Sequence, residues 1–242
     1  MTQPAVTMPP IAVIAGGLAT RMHPLTLTVA KSMLPVVGEP FIAHQLRLFR
    51  REGISRVVLC LSHLGETVEA FIGAGTFDLE VLYAYDGDRQ MGTGGALAKA
   101  LPLLGPEFLV TYGDSYLDIN FAPVVAAFRR AGAPALMTVF KNDDRLDRSN
   151  VEFVNGRIAN YSKTHDSRMA HIDFGLQALR ADCIADAAAR DQPFDLASIY
   201  TDLAQQGRLA GFEVGKRFYE IGSKEGLAET DAYLLSKQEV TS

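Results

Sequence analysis

Apolar residues follow two rhythms along the chain. Short β-rich runs at residues 11–15, 56–61, 79–83 and 108–112 read as buried strands, because they are continuous, rich in branched side chains and short. Between them lie segments with helical spacing at 41–52, 65–72, 94–104 and 121–130. The first carries Ile42, Leu46 and Phe49 on one face and meets Gly53 as its C-terminal stop, and the last is closed by Gly132. Strands alternating with helices predict a doubly wound, mostly parallel α/β sheet with helices on both faces. Phe49, Phe71 and Phe128 are expected as core on the helical faces.

Beyond Ala133 the pattern changes. Residues 135–140 predict a strand, and 151–159 predict a hairpin whose Asn155-Gly156 pair signals a type I′ turn. The charged stretch 141–148 reads as a solvated connection. Strands follow at 172–179 and 210–214, with helices at 182–190 and 196–206. Residues 218–222 form a strand leading into a helix that starts near Ser223 and carries Leu227, Tyr233 and Leu234. The expected organisation is a flexible stretch at 1–10 and one domain at 11–236. That domain divides into a first half at 11–132, a smaller antiparallel part at 133–222 and a C-terminal helix at 223–236.

Composition narrows the function. The chain of 242 residues has 23 basic and 28 acidic side chains, a net charge of -5, and no basic stripe of the kind nucleic-acid binding needs. Local cations can still converge on a small anion whatever the global sign. Cys60 and Cys183 lie far apart without a metal or redox motif, which fits a reduced, cytoplasmic compartment, with Cys60 as core. Residues 1–10 lack a basic and apolar leader pattern, and no apolar run approaches the roughly 18 residues of a membrane span. The expectation is a soluble protein with no nucleic-acid or membrane partner.

The candidate chemistry begins where the first strand ends. Ala15-Gly16-Gly17-Leu18-Ala19-Thr20-Arg21 is followed by Pro24-Leu25-Thr26 and by Lys31-Ser32-Met33-Leu34-Pro35. Glycines there let backbone N–H groups approach phosphate oxygens, and Arg21 and Lys31 supply the charge a triphosphate requires. A dinucleotide-binding G-x-G-x-x-G is absent, since Leu18 and Ala19 follow Gly17, and a Walker A loop is excluded because Ala30 precedes Lys31-Ser32. Downstream, Asp114 follows the fourth strand at the sheet edge where open α/β folds bind ligands.

The long pattern G-G-x-x-T-R-x-x-P-L-T with a lysine ten positions after Arg21 resembles the signature of the sugar-1-phosphate nucleotidylyltransferases. The resemblance extends through Pro35-Val-Val-Gly-Glu-Pro40, Gly92-Thr-Gly94-Gly95-Ala-Leu97, Tyr112-Gly113-Asp114-Ser115 and Tyr219-Glu220-Ile-Gly222, spanning about residues 11–235. The closing Tyr219-Glu-Ile-Gly-Ser-Lys-Glu-Gly-Leu looks most like the bacterial D-glycero-D-manno-heptose 1-phosphate guanylyltransferases. Mannose-1-phosphate guanylyltransferases and N-acetylmuramate 1-phosphate uridylyltransferases are near. Ala19 replaces a common glycine, Ala30 and Ser32 replace prolines that often flank the lysine, and Glu220 replaces a commoner aspartate.

The resemblance implies the Rossmann-like nucleotide-diphospho-sugar transferase fold and a role for each motif. Ala15, Gly16, Gly17, Thr20, Gln90, Gly94 and Gly95 would bind the nucleotide, the last two lining the base and ribose pocket. Arg21 would hold the outgoing phosphates, Lys31 the phosphoryl group under attack, and Lys163 the phosphate of the acceptor. Tyr112, Gly113, Asp173 and Gly175 would bind the sugar, and Asp114 and Glu220 would hold Mg²⁺ through oxygen ligands.

The expected partners are a nucleoside triphosphate, GTP favoured, and a heptose or hexose 1-phosphate, giving an NDP-sugar for cell-surface glycans. A homodimer is compatible with this, since an isologous interface leaves no clear signature in one sequence. Three readings stay open: a uridylyltransferase acting on N-acetylmuramate 1-phosphate or another sugar 1-phosphate, a cytidylyltransferase acting on a small phosphate such as phosphocholine, and a nucleotide-binding regulatory protein without turnover.

Overall fold

The computed structural model describes residues 6–17, 22–87, 89–162, 164, 167–189 and 192–241. The first half forms the parallel part of the sheet from β1 (Ile11–Ile14), β4 (Arg56–Leu61), β5 (Glu80–Tyr85) and β6 (Glu107–Tyr112). Helices α1 (Phe41–Arg51), α2 (Gly65–Ala74) and α3 (Gly92–Leu104) supply the crossovers. The short β2 (Pro35–Val36) and β3 (Glu39–Pro40) make a hairpin before α1. The smaller half adds β7 (Ser115–Tyr116), α4 (Ala122–Ala131), β8 (Ala135–Lys141), β9 (Val151–Val154), β10 (Arg157–Tyr161) and β11 (His171–Arg180). After these come α5 (Asp182–Ala188), α6 (Leu196–Gln205), β12 (Leu209–Val214), β13 (Tyr219–Glu220) and α7 (Lys224–Thr241).

Among the described residues these build a nine-stranded sheet in the order β5-β4-β1-β6-β11-β8-β12-β10-β9, with β13 and β7 paired as a separate ribbon. From β5 to β6 all neighbours are parallel; β11 runs antiparallel to β6 and β8, and the β9–β10 hairpin closes the far edge. The expected parallel first half is present, and the small part is antiparallel except that β12 runs parallel to β8. Asn155 and Gly156 have φ of 49° and 78°, the two left-handed residues a type I′ turn demands.

Burial on both faces explains the apolar runs. In β1, Ile11 and Val13 face a core with α1, α2, α4 and α7, while Ala12 faces a second core with α3, α5 and α6. Phe49 and Phe128 are buried in the first core with Phe71 packed against it, as their spacing predicts, and Cys60 is buried in the second. Of residues 1–10, expected to be flexible, those from Val6 on are described, and two are tied down. The Pro10 carbonyl accepts from Leu109 N–H at 2.8 Å and that of Thr7 from Arg129 at 2.8 Å.

The stretch 141–148 is the solvated connection expected of it, exposed at every residue except Asn142, and it is folded on an internal pair. Asn142 and Ser149 are buried: Asn142 Nδ2 donates to the Asp147 carbonyl and to Ser149 Oγ, and Asn142 Oδ1 accepts from Leu146 N–H at 3.0 Å. A polar loop folded on an internal Asn–Ser pair exposes its charges while satisfying its own backbone.

Helix α7 continues past the expected stop at 236 and is fastened to the site-bearing half. Buried Asp118 receives Arg51 at 2.6 Å, the Tyr233 hydroxyl at 2.5 Å and Lys237 at 3.0 Å. Burial alone would raise its pKa, but the Tyr233, Lys237 and Arg51 bonds outweigh that and hold the carboxyl well below the usual range. Asp231 accepts the Val37 N–H at 2.6 Å, which ties the helix to the β2–β3 turn.

A carboxyl lowered in the folded state contributes stability that is fully present above its ordinary pKa of 3.8 and is lost as pH falls through the folded value. The Asp118 anchor is therefore intact at neutral and mildly acidic pH. Asp118→Asn is expected to cost about 2 kcal/mol, the scale of hydrogen bonds to a charged group. Urea unfolding at pH 7 measures that cost, and amide exchange should show the loss concentrated in α7.

Candidate active site

The parallel register of β1 and β6 places Ile14 beside Tyr112, so the loops leaving those strands start side by side at the carboxyl edge of the sheet. Gly113 N–H donates to the Ile14 carbonyl at 2.9 Å, and a Cβ on Gly113 would lie 2.6 Å from that of Ala15; only a glycine lets the two loops touch. Ala15, Gly16 and Gly17 from the first loop, Lys31 and Ser32, Gln90, and Tyr112 to Asp114 line one cleft of about 310 Å³. Most of the expected nucleotide-binding residues are thus brought together. Thr20, Arg21 and Lys163 lie outside the described residues.

Gly94 and Gly95 do not line this cleft. A Cβ on Gly94 would strike the Phe194 ring at 2.2 Å and one on Gly95 would meet Met91 at 2.7 Å, so their bareness lets Phe194 and Met91 pack against the start of α3. The wall here is Gly92, Thr93 and Ala96, two of them in the first turn of the helix. Thr93 Oγ1 donates to Asp195 at 2.8 Å and accepts the Leu196 N–H at 2.8 Å, which fastens this turn to the start of α6.

A second, polar cavity of about 490 Å³ opens beside the first and shares Tyr112 and Asp114 with it. Asp173, Gly175 and Glu220 line it; Gly113 belongs to the first cleft only. The β11–β8 register shifts between Asp173 and Gln177, and in this irregularity Asp173 Oδ1 accepts Gly175 N–H at 2.9 Å and Gln177 Nε2 at 2.8 Å. Burial pushes the Asp173 carboxyl up to about 6, against those two bonds. Asn150, Arg145 and Arg217 also face this cavity, and Asn150 Oδ1 holds the Asp173 N–H at 3.0 Å.

At the junction of the cavities Lys31 Nζ lies 2.5 Å from Asp114 Oδ2. Glu220 Oε1 and Lys31 Nζ lie 3.4 and 3.5 Å from the position a Cβ on Gly222 would take, so a side chain at that position would crowd both groups. The Asp114 turn is held from two sides. The buried Gln45 of α1 donates through Nε2 to the Tyr112 and Ser115 carbonyls at 2.9 and 2.8 Å, and Ile221 N–H donates to the Asp114 carbonyl at 2.9 Å. The β7–β13 ribbon, with Glu220 opposite Ser115, thereby sets the distance between the two acids.

Sequence reasoning passed over Asp86, Gln45 and the 142–149 loop. Asp86 follows β5 at the same sheet edge as Asp114, a positional signal that was there to be used. Gln45 looks like any polar residue of an amphipathic helix. Among the described residues no three His, Cys, Asp or Glu side chains cluster as a metal site, and no helix is long and apolar enough to cross a membrane.

Comparison with known proteins agrees with this geometry. The chain is similar to the N-acetylmuramate alpha-1-phosphate uridylyltransferase of Neisseria meningitidis serogroup B, 36% identical over 123 residues that cover 50% of this chain and 52% of that protein. It is also similar to the D-glycero-alpha-D-manno-heptose 1-phosphate guanylyltransferase of Campylobacter jejuni, 26% identical over 110 residues, 46% of this chain and 49% of that one. The chain thus spans about half the length of each of these relatives. The crystal structure of HddC from Yersinia pseudotuberculosis shares the fold, with a TM-score of 0.82 at 19% identity, covering 94% of this chain and all of that one. The sequence profile described as Nucleotidyl transferase matches residues 11–150, the stretch that carries the first cleft and the Lys31–Asp114 junction, and the chain belongs to that family.

Proposed function

We propose that the protein is a sugar-1-phosphate nucleotidylyltransferase that joins a nucleoside triphosphate, GTP favoured, to a heptose or hexose 1-phosphate and releases pyrophosphate. The observation that carries the reading is the pair of cavities meeting at Tyr112 and Asp114: a cleft bordered by backbone and Lys31, and beside it a polar cavity with many hydrogen-bonding groups. Two substrates whose reacting phosphates must meet require such a junction. The names of the relatives, which include uridylyl and guanylyl transferases of sugar 1-phosphates, support the reaction class.

In this mechanism the acceptor's phosphate oxygen attacks the α-phosphorus in line, and the pair of electrons leaves with pyrophosphate. The nucleophile is already anionic at neutral pH, so alignment and charge stabilisation do the catalytic work. Lys31 stands at the junction to neutralise the phosphoryl group under attack. Arg21 and Lys163 are assigned the outgoing and acceptor phosphates by the motif alone, and Asp173 the sugar hydroxyls.

Asp114 and Glu220 suit Mg²⁺: both are hard oxygen donors that line the same polar cavity, and Asp114 already pairs with a cation, the Lys31 ammonium. Mg²⁺ commonly binds through one or two carboxylates with phosphates completing the shell, so a pair suffices. Bound there, the ion would supply charge neutralisation at the triphosphate. A soluble cytoplasmic enzyme acting for cell-surface glycan synthesis is the setting in which this chemistry belongs.

Asp114→Ala is expected to reduce pyrophosphate release at least ~100-fold, the scale of losing a group that stabilises transition-state charge, with an unchanged circular dichroism spectrum. Normal turnover by the folded variant would remove Asp114 from the chemistry. Screening the common nucleoside triphosphates against a panel of sugar 1-phosphates by pyrophosphate release tests the reaction itself.

Asp173→Asn should raise KM for the sugar phosphate about 10-fold, one charged hydrogen bond's worth, and leave KM for the nucleotide alone. A carboxyl raised from 3.8 to about 6 is protonated in the folded state and ionised in the unfolded one between those values. Stability contributed by Asp173 therefore falls as pH rises through that window and levels off above it. Denaturation midpoints measured from pH 4 to 7 should show a smaller decline in Asp173→Asn than in the parent.

A further inference from the structure

The β7–β13 ribbon has two residues in each strand, and a pair that short is not stable by itself. Successive side chains of a strand point to opposite faces, so the ribbon has two distinct sides. On one side Ser115 and Glu220, paired across the ribbon, line the polar cavity. On the other, their neighbours Tyr116 and Tyr219 both meet a single ring of α7, that of Tyr233. Tyr219 lies flat on it, with centroids 3.9 Å apart and planes 15° from parallel, and Tyr116 meets it edge-on at 6.4 Å.

The Tyr233 ring is itself fixed. Its hydroxyl donates to buried Asp118 at 2.5 Å, and Lys237 Nζ lies over its face, 5.2 Å from the centroid. The Arg217 guanidinium covers the Tyr219 ring at 4.8 Å, while its Nη2 donates to Glu229 of the same helix at 2.6 Å. The backbones also approach closely: a Cβ on Gly226 of α7 would lie 2.5 Å from the Glu220 carbonyl oxygen. Backbone contacts hold β13 near α7, and the stack adds which face of the ribbon is turned toward the helix. Because the two faces alternate residue by residue, locking the Tyr219 ring on α7 sends its neighbour's carboxylate the other way. Release of that ring would let β13 twist and carry the Glu220 carboxylate out of the cavity.

We infer that Tyr219 and Tyr233 are a positioning pair: their stack aims the Glu220 side chain into the polar cavity and thereby sets the affinity of the site for a divalent cation. The inference rests on the assignment of Asp114 and Glu220 to Mg²⁺ above and adds the residues that orient the second carboxylate. Neither ring lines either cavity, so both act through Glu220. Groups that orient a metal ligand from behind commonly change metal affinity by about 10-fold or more when they are lost.

Electron paramagnetic resonance of Mn²⁺ titrated into the full chain, with non-cleavable α,β-methylene analogues of GTP and UTP in separate runs, reads the affinity without turnover. Tyr219→Leu and Tyr233→Leu should each weaken Mn²⁺ binding at least ~10-fold. The double variant should bind little worse than either, because both changes remove the same stack. Tyr219→Phe keeps the ring and should bind Mn²⁺ as the parent chain does. The chain has no tryptophan, so Tyr219→Trp places a single stacked reporter beside Glu220 in an intact fold. Its emission should change when Mg²⁺ follows the analogue, which decides the matter even where a leucine variant does not fold. Parent-like affinity in folded Tyr219→Leu, losses that multiply in the double variant, or a Tyr219→Trp emission that Mg²⁺ leaves unchanged would overturn the inference and leave the transferase reading standing. Absence of protein-bound Mn²⁺ in the parent chain with either analogue would overturn both.

Discussion

The parallel adjacency of β1 and β6 is the constraint on which the rest of this molecule depends. With Ile14 opposite Tyr112, the two loops that leave the sheet have no room to diverge, and Gly113 packs against Ala15. Everything charged at the junction follows from that. Asp114 emerges one residue after the contact, at the shared wall of both cavities, and Lys31 reaches it from the segment preceding α1. A sheet with another strand between β1 and β6 would separate the glycine-bearing loop after β1 from the acidic turn after β6.

The second half of the chain holds that junction in place. The β7–β13 ribbon brings Glu220 to the Asp114 turn, and α7 secures the ribbon because Thr230 Oγ1 donates to the Glu220 carbonyl at 3.1 Å. The same helix reaches the β2–β3 turn through Asp231 and the α1 side of the core through Asp118. Lys31, Asp114 and Glu220 are thus positioned by three separate parts of the chain that α7 binds together. Such positioning by rigid elements suits a reaction in which alignment and electrostatics dominate.

Much of this was legible in the sequence, for identifiable reasons. The buried parallel strands are short apolar runs because both faces are covered, and the Asn155-Gly156 turn and the Gly16–Lys31 loop carry local chemistry that spacing reveals. What escaped depends on contacts between distant segments. Gln45 is ordinary on its helix and acquires meaning only from the Tyr112 and Ser115 carbonyls. Gly94 and Gly95 belong to a motif that suggests a pocket, yet Phe194, a hundred residues away, claims the space beside Gly94. The 141–148 stretch reads as solvated because its charges are, while Asn142 and Ser149 turn inward.

Phosphorus NMR of the protein incubated with Mg²⁺, GTP and a mixture of sugar 1-phosphates tests the central claim most directly. Joining of two reacting phosphates at the Lys31–Asp114 junction predicts loss of the triphosphate signals, growth of pyrophosphate, and new coupled resonances of a diphosphate diester. Formation of GDP with inorganic phosphate, or spectra that do not change with any of the four common nucleoside triphosphates, would contradict it.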